Sequence, residues 1–308
     1  MSAATEEQVA RAIASVPGWT PETVKARPLV GGLLNSNWLV EHEDTTYFMK
    51  VFGVGSENFV NRELSIKAAR TANALGVAPG VVHYDSATGV EVFEFLTNYR
   101  ASTNADFVRR DFMSAVIGLY RQYNAGEALP VTKDVFAMTD EHIEQGNEVG
   151  AIRPADFAFL EQQYLRAKEA FMASGLDLAP CHNDPMPGNF MVRMSEDDRL
   201  LDMKLIDFEF ASNNERAYEI GVFLGEIFAD ETATLEMIEQ YYGALREDLV
   251  ARVWVARAVA DMKWGSWGVQ QRQLSDWDFD YQKYGIWKYA RARAVFNDSR
   301  WNYWLSKL

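Results

Sequence analysis

Cys181-His182-Asn183-Asp184-Pro185-Met186-Pro187-Gly188-Asn189-Phe190-Met191-Val192 carries a carboxylate at Asp184 and a carboxamide at Asn189, separated by two prolines and a glycine. Proline and glycine end regular structure, so both polar side chains belong to a loop, and the apolar Phe190-Met191-Val192 re-enters a strand. A second apolar run, Met203-Lys204-Leu205-Ile206, ends in Asp207-Phe208-Glu209. Two short strands joined by a tight turn through Ser195 to Asp198 would bring Asn189 and Asp207 side by side. A base-type aspartate, an asparagine and a strand-end aspartate are the parts that phosphoryl transfer from a nucleotide requires. The first aspartate accepts the proton of the attacking hydroxyl, and the other two side chains hold Mg2+ on the phosphates. Asp and Asn favour turns in any protein; the ordered set, rather than any single member, points to this chemistry.

Composition sets the outer limits. A chain of 308 residues with 48% hydrophobic content can bury a large core, as one bilobal unit or two domains. Its longest apolar runs fall far short of the roughly twenty residues of a membrane span. The start, Met1-Ser2-Ala3-Ala4-Thr5-Glu6-Glu7, lacks the basic and apolar regions of a signal peptide. A single cysteine, Cys181, forms no internal disulfide and no metal cluster, so a cytoplasmic setting is expected. A formal charge of −14 argues against nucleic-acid or anionic-membrane partners, because phosphate contacts need basic surface. The same field welcomes a small cation, although an acidic balance also serves solubility alone.

Upstream, Glu6 to Ser15 suggests a short helix ended by Pro17-Gly18. Leu29-Val30-Gly31-Gly32-Leu33-Leu34-Asn35-Ser36-Asn37-Trp38-Leu39-Val40 reads as strand, Gly-Gly turn with polar tips, and strand. Thr46 to Phe52 is a third β-rich run that carries Lys50. A flexible glycine loop lets backbone N–H groups close over phosphates, and a lysine on the next strand can reach them; Gly-Gly also suits a plain hairpin. Residues 57 to 75 have helical spacing at Val60, Leu64, Ala68, Thr71 and Leu75, with Gly76 at the stop. Glu63 lies in the first half of that helix, placed either to pair with Lys50 or to face solvent. Val81-Val82-His83-Tyr84 and Val90 to Leu96 complete a five-stranded sheet, and Glu94 to Asn98 then links to a second lobe. Its backbone, from Glu94 through Leu96, would face an adenine ring.

From Thr103 onward the pattern is mostly helical. Phe112, Val116, Leu119 and Tyr123 mark one helix, and Phe157, Leu160, Tyr164, Ala167 and Phe171 mark another after Pro154. Tyr218 to Ala229, Thr232 to Leu245 and Glu247 to Gln273 follow. Trp264 and Trp267 stand one turn apart on the last of these, where they either continue its core stripe or face a ligand. Beyond them lies the aromatic and acidic stretch Trp277 to Tyr284. His42, His83 and His142 show no metal-ligand spacing.

These motifs resemble the choline/ethanolamine kinase family, a branch of the aminoglycoside-phosphotransferase group with a protein-kinase-like fold. The resemblance covers roughly residues 29 to 300. His182-Asn183-Asp184-x-x-x-Gly188-Asn189-Phe190 looks like the family's catalytic loop. Leu205-Ile206-Asp207-Phe208-Glu209-Phe210-Ala211-Ser212-x-Asn214-x-Arg216, continuing to Ile220-Gly221-x-Phe223-x-x-Glu226, is similar to its metal- and substrate-side signature. Trp264-Gly265-Ser266-Trp267 with Phe279-x-Tyr281-x-x-Tyr284 looks like its aromatic choline pocket.

By position, the resemblance implies Asp184 as catalytic base and Asn189 and Asp207 as Mg2+ ligands. It implies Gly31, Gly32, Asn35, Lys50, Glu63, Glu94 and Leu96 on the ATP side. Glu209, Phe210, Glu226, Trp264, Trp267, Phe279 and Tyr284 would line the alcohol pocket. A quaternary ammonium offers no N–H to donate, so aromatic faces with a carboxylate nearby suit it best. His182 is expected to brace the loop, since Asp184 already fills the base role. Departures stand at Glu219, where the family has Asp, and at Val222, Phe210 and Met186.

The resulting expectation is an α+β, bilobal enzyme, with a nucleotide-binding lobe over residues 1–97 and a catalytic and substrate-binding lobe over 98–308. It would pass the γ-phosphoryl of ATP, with Mg2+, to choline or a related cationic amino alcohol. The alternatives are ethanolamine, an aminoglycoside or another hydroxylated metabolite as acceptor, or a nucleotide-binding protein without transfer activity.

Overall fold

Period-two alternation builds the first sheet. After helix α1 (Glu6–Ser15) come β1 (Val24–Leu29), β2 (Asn35–His42) and β3 (Thr45–Phe52), then helix α2 (Arg62–Ala74), β4 (Val81–Asp85) and β5 (Val90–Glu94). The chain continues through β6 (Arg100–Ala101), α3 (Arg110–Asn124), α4 (Val135–Glu148), α5 (Phe157–Ser174), β7 (Leu178–Cys181), β8 (Phe190–Met194) and β9 (Leu200–Leu205). It ends with β10 (Ser212–Glu215), α6 (Arg216–Glu226), α7 (Glu231–Tyr242), α8 (Glu247–Leu274), α9 (Tyr281–Phe296) and α10 (Trp301–Lys307). This computed structural model describes residues 6–29, 35–52, 61–275 and 278–308. By packing, the chain divides into two units: residues 1–101 with 191–210, and residues 102–190 with 211–308.

In the first unit the antiparallel strands take the order β1-β2-β3-β5-β4. One face of the sheet is apolar. Val40, Met49, Val51, Val90 and Val92 meet Val9, Ala12 and Ile13 of α1 and the ring of Trp19 in a single cluster. The opposite face carries a polar row, because register pairs Asn37 with Lys50, Lys50 with Glu91, and Glu91 with Tyr84. A three-stranded sheet, β6-β8-β9, completes this unit. Its β8–β9 turn closes where expected, with the Ser195 N–H donating to the Arg199 carbonyl at 2.9 Å.

Boundaries differ from expectation in both units: α6 starts at Arg216 rather than Tyr218, α7 ends at Tyr242 rather than Leu245, and β5 ends at Glu94 rather than Leu96. The first strand runs from Val24 to Leu29, not onward from Leu29, because Lys25, Arg27 and Pro28 mask the inward alternation of Val24 and Ala26. Helix α2 begins at Arg62, where the Asn61 side chain caps the Leu64 N–H at 3.1 Å. Residues 30–34, with Gly31 and Gly32, and residues 53–60 lie outside the described residues.

The second unit is helical apart from β7 and β10, which pair antiparallel and set Ser212 opposite Cys181. Helix α8 is buried on most of its circumference, as fits a helix packed between α4, α6, α9 and α10. Glycines let α9 come close to it. A Cβ on Gly268 would lie 2.9 Å from the Gly285 backbone, and one on Gly285 would lie 2.9 Å from the Gly265 carbonyl. The backbone cannot yield there as a flexible side chain could. Gly285→Ala is therefore expected to cost about 1–3 kcal/mol and to lower the melting temperature measurably. Gly118→Ala in α3, whose new Cβ meets nothing within 4 Å, should hold or raise it. Thermal unfolding followed by circular dichroism checks both; an unchanged midpoint for Gly285→Ala would refute the tight contact.

Candidate active site

The first unit concentrates charge around Lys50. Strand β3 presents its ammonium, which donates 2.8 Å hydrogen bonds to Asp207 Oδ1 and to Glu209 Oε1. Asn35 at the start of β2 donates to the same Glu209 oxygen at 2.5 Å. Burial alone would lower the Lys50 pKa, but the carboxylates of Asp207, Glu209 and Glu91 outweigh it and hold the ammonium charged. Asp207 sits with φ at 69°, a left-handed conformation that Asp and Asn tolerate better than most residues. That backbone turn follows directly on the strand run ending at Leu205 and re-aims the chain toward Glu209.

The expected Lys50–Glu63 pair is not formed among the described residues. Glu63 instead accepts from the Tyr84 hydroxyl at 3.2 Å. The carboxylate facing Lys50 across the sheet is Glu91, which sequence inspection passed over as one residue of an apolar strand. Its signal was legible: a glutamate between Val90 and Val92 must face away from the apolar cluster, on the lysine side. Glu94 turns its carboxylate back to the Gly80 N–H at 2.9 Å. Leu96 is half-buried in the following turn, where its carbonyl accepts from the Tyr99 N–H. Glu209, expected among the alcohol-pocket residues, is packed with Lys50 and Asn35, and Phe210 beside it is half-buried.

In the second unit the loop around Asp184 is held by buried polar groups. The Asn189 amide nitrogen donates to both the carbonyl and the Oδ2 of Asp184, each at 3.0 Å. Those bonds use the nitrogen and leave Oδ1 as the atom suited to a metal. His182 is fully buried, and its Nδ1 accepts from the Asp184 N–H at 3.3 Å. Asn183, also left-handed at φ 69°, donates to Ser212 Oγ at 2.8 Å and accepts from Asn214 at 2.9 Å. Below the loop, the fully buried Glu219 accepts from the His182 backbone N–H and from Asn124. Burial raises the Glu219 pKa, against the pull of those donors.

The aromatic residues expected around an alcohol do assemble. Trp267 meets Trp264, Tyr281 and Tyr284 edge-on, with centroids 5.6, 5.6 and 5.8 Å away. Phe279, partly exposed, lies 5.9 Å from Tyr284, and Trp287 extends the group. Glu226 is not left open to a ligand cation. Lys288 and Arg291 both pair with its Oε1.

Glu91 makes stability depend on pH. Burial raises its carboxyl from an ordinary 4.5 to about 7, with Lys50 pulling it down and Glu209 and Asp207 pushing it up. The folded chain thus holds a proton that the unfolded chain has lost. That contribution is complete below pH 4.5 and disappears as pH rises to about 7, a change on the order of 3 kcal/mol. Glu91→Gln, which cannot ionise, should lose less stability between pH 5 and pH 8 than the parent. Urea unfolding at both pH values tests this; equal pH dependence in the two proteins would show that Glu91 does not carry the effect.

Comparison with known proteins gives the family and the fold. The phosphotransferase enzyme family matches residues 25–254. Human choline/ethanolamine kinase is 24% identical over 229 residues, which span 61% of this chain and 56% of that protein. Ethanolamine kinase 2 of Rattus norvegicus is 22% identical over 308 residues, 91% of this chain and 78% of its own. The crystal structure of a choline/ethanolamine kinase family protein from Mesorhizobium loti has a TM-score of 0.83 at 24% identity, covering 98% of both chains. The fold is the α+β, protein-kinase-like one of these enzymes. With three quarters of its length matched, the chain belongs to the phosphotransferase enzyme family.

Proposed function

We propose that this protein transfers the γ-phosphoryl of ATP to the hydroxyl of a small molecule. The observation that carries this reading is the Lys50 ammonium bonded to both carboxylates of the Asp207-Phe208-Glu209 motif, more than 150 residues away in sequence. A buried lysine with two acidic partners is a ready site for nucleotide phosphates, because phosphate oxygens and a divalent cation can take up those charges together. Residues 1–97 then serve the nucleotide and residues 98–308 catalysis and the acceptor, with Asp207 joining the nucleotide side. A cytoplasmic setting, where ATP is plentiful, fits this role. No helix among the described residues is long and apolar enough to cross a membrane.

In this reading Asp184 accepts the proton of the acceptor hydroxyl, held for the task by Asn189. Asp207 and Asn189 offer hard oxygens to Mg2+. Each is a kind of donor that suits this ion, which is usually held by one or two carboxylates plus phosphates and water rather than by a full protein cage. No group of three or more His, Cys, Asp or Glu suited to a metal occurs among the described residues. When bound, Mg2+ would neutralise phosphate charge. Amino alcohols such as choline and ethanolamine are the first acceptors to try, since the relatives carry those names and the rings of α8 and α9 suit an organic cation.

Asp184→Asn keeps the shape of the carboxylate but cannot take the proton. Transfer should fall by two to four orders of magnitude, roughly the worth of a positioned base, with nucleotide binding retained. Turnover within tenfold of the parent would remove Asp184 from the base role. Asp207→Ala should raise the Mg2+ concentration needed for half-maximal rate while leaving the acceptor KM near its parent value. A Mg2+ titration at fixed acceptor decides this, and an unshifted curve would refute the metal role.

A further inference from the structure

The sheet of the first unit carries a buried acceptor that its own contacts leave unused. Glu91 is 2% exposed, and its Oε1 has no hydrogen-bond partner among the described residues. A buried carboxylate oxygen without a partner is costly, so a fold that keeps one calls for an explanation. Strand register fixes where the side chain stands. Glu91 on β5 is directly opposite Lys50 on β3 and directly opposite Tyr84 on β4. Opposite residues of antiparallel strands share a face, with Cβ atoms about 5 Å apart, which puts the ammonium within reach of the carboxylate. Glu63, the helix glutamate expected to hold Lys50, is bound to the Tyr84 hydroxyl, one strand beyond Glu91.

The two carboxylates that Lys50 does bond are unequal. The Glu209 side chain is 6% exposed and also takes the Asn35 amide, whereas the Asp207 side chain is 37% exposed. Asp207 is thus the member of the pair that a ligand can reach. A carboxylate bound to a divalent cation loses most of its attraction for an ammonium. Lys50 is itself buried, and a buried ammonium needs a replacement acceptor close by. Glu91 supplies one from the neighbouring strand. The groups around it favour the exchange. Lys50 and Arg62 of α2 draw its carboxyl toward the charged form, while Glu209, Asp207 and burial oppose this, and Tyr84 borders it on β4. Neutralising Asp207 removes one of those opposing charges.

Resting on the phosphotransferase reading, we propose that Glu91 is the positioning residue that holds Lys50 when Asp207 is given over to Mg2+-nucleotide. Lys50 keeps its bond to Glu209 and exchanges Asp207 for Glu91 Oε1. The ammonium then stays at the nucleotide site instead of following the Asp207 carboxylate. In this chain the sheet, through β5, does what a helix glutamate was expected to do.

The test measures ATP binding by calorimetry, with Mg2+ and with EDTA, in the parent, Glu91→Gln and Glu63→Gln. Glutamine keeps the shape of the side chain and cannot ionise. Glu91→Gln should weaken binding of Mg2+-ATP by about tenfold or more, the scale of a lost charge-assisted hydrogen bond. It should weaken binding of metal-free ATP much less, because Asp207 then remains with Lys50. The loss with Mg2+-ATP should also exceed that of Glu63→Gln, and the acceptor KM should stay near its parent value. Equal losses with and without Mg2+, or a greater loss in Glu63→Gln, would overturn the proposal. A second readout needs no ligand. Asp207→Asn removes the charge and suits the left-handed backbone at φ 69°. In urea unfolding at pH 8, Glu91→Gln should lower the folding constant about tenfold more in the Asp207→Asn background than in the parent. An equal cost in the two backgrounds would overturn the proposal. Glu91→Leu, which keeps bulk on an otherwise apolar strand, takes the place of Glu91→Gln in both measurements if the latter does not fold. Normal binding of Mg2+-ATP by Glu91→Gln would remove this inference and leave the phosphotransferase reading standing. Failure of the parent to bind ATP would remove that reading instead.

Discussion

Taking a charge out of water costs several kcal/mol unless a partner is built beside it, and this constraint shapes both units. The chain buries Lys50, Glu91, Glu215, Glu219, Glu226, Asp261, Lys263 and Lys288. Each unit folds so that opposite charges meet. Lys50 reaches Asp207 and Glu209; Glu215 takes Arg252; Glu226 takes Lys288. Removing one member of such a pair leaves the other stranded, so these contacts fix the backbone that presents them more firmly than surface pairs such as Arg246–Asp248 can.

The loop that carries Asp184 shows how such groups specify a site. Its backbone has only the single 3-10 turn Pro187–Asn189, and no long helix or strand, to define it. Instead it is fastened by three separate pieces: the β7–β10 pairing at Cys181, the Asn183–Asn214–Ser212 hydrogen bonds, and the Glu219 carboxylate beneath His182. Asn214 further accepts from the Val135 and Glu215 N–H groups, so one amide ties the loop to the starts of α4 and α6. The longer Glu219, where an aspartate was expected, reaches both His182 and Asn124. A departure in the sequence is here a bracing contact.

The aromatic region illustrates the opposite lesson. Close glycine contacts between α8 and α9 bring Trp264, Trp267 and Tyr284 together, as a cation pocket needs. Lys263 and Lys288 come with them from the same two helices. The rings alone suit choline; the rings with their buried lysines describe a different electrostatic environment. Burial lowers the Lys263 pKa to about 7 even with Asp184 favouring its charge. Burial likewise raises the Asp261 carboxyl, to about 6, against the pull of Arg291 and Lys288.

The sequence by itself determined the local structure. Period-two alternation set the sheet, 3.6-residue spacing set α3, α5 and α8, and Pro185, Pro187 and Gly188 set the loop between Asp184 and Asn189. Motif spacing was enough to name the family, because phosphoryl transfer needs few side chains in a strict order. Tertiary structure alone decided which charge meets which. Lys50 was expected to pair with Glu63, yet it meets Asp207 and Glu209 and faces Glu91, while Glu63 belongs to Tyr84. Glu226 was expected to await a ligand, yet it meets Lys288, 62 residues on. Helix and strand patterns arise from neighbours within a few residues. An ion pair depends on the positions of two backbones that sequence spacing does not specify, and on burial that exists only once both are packed.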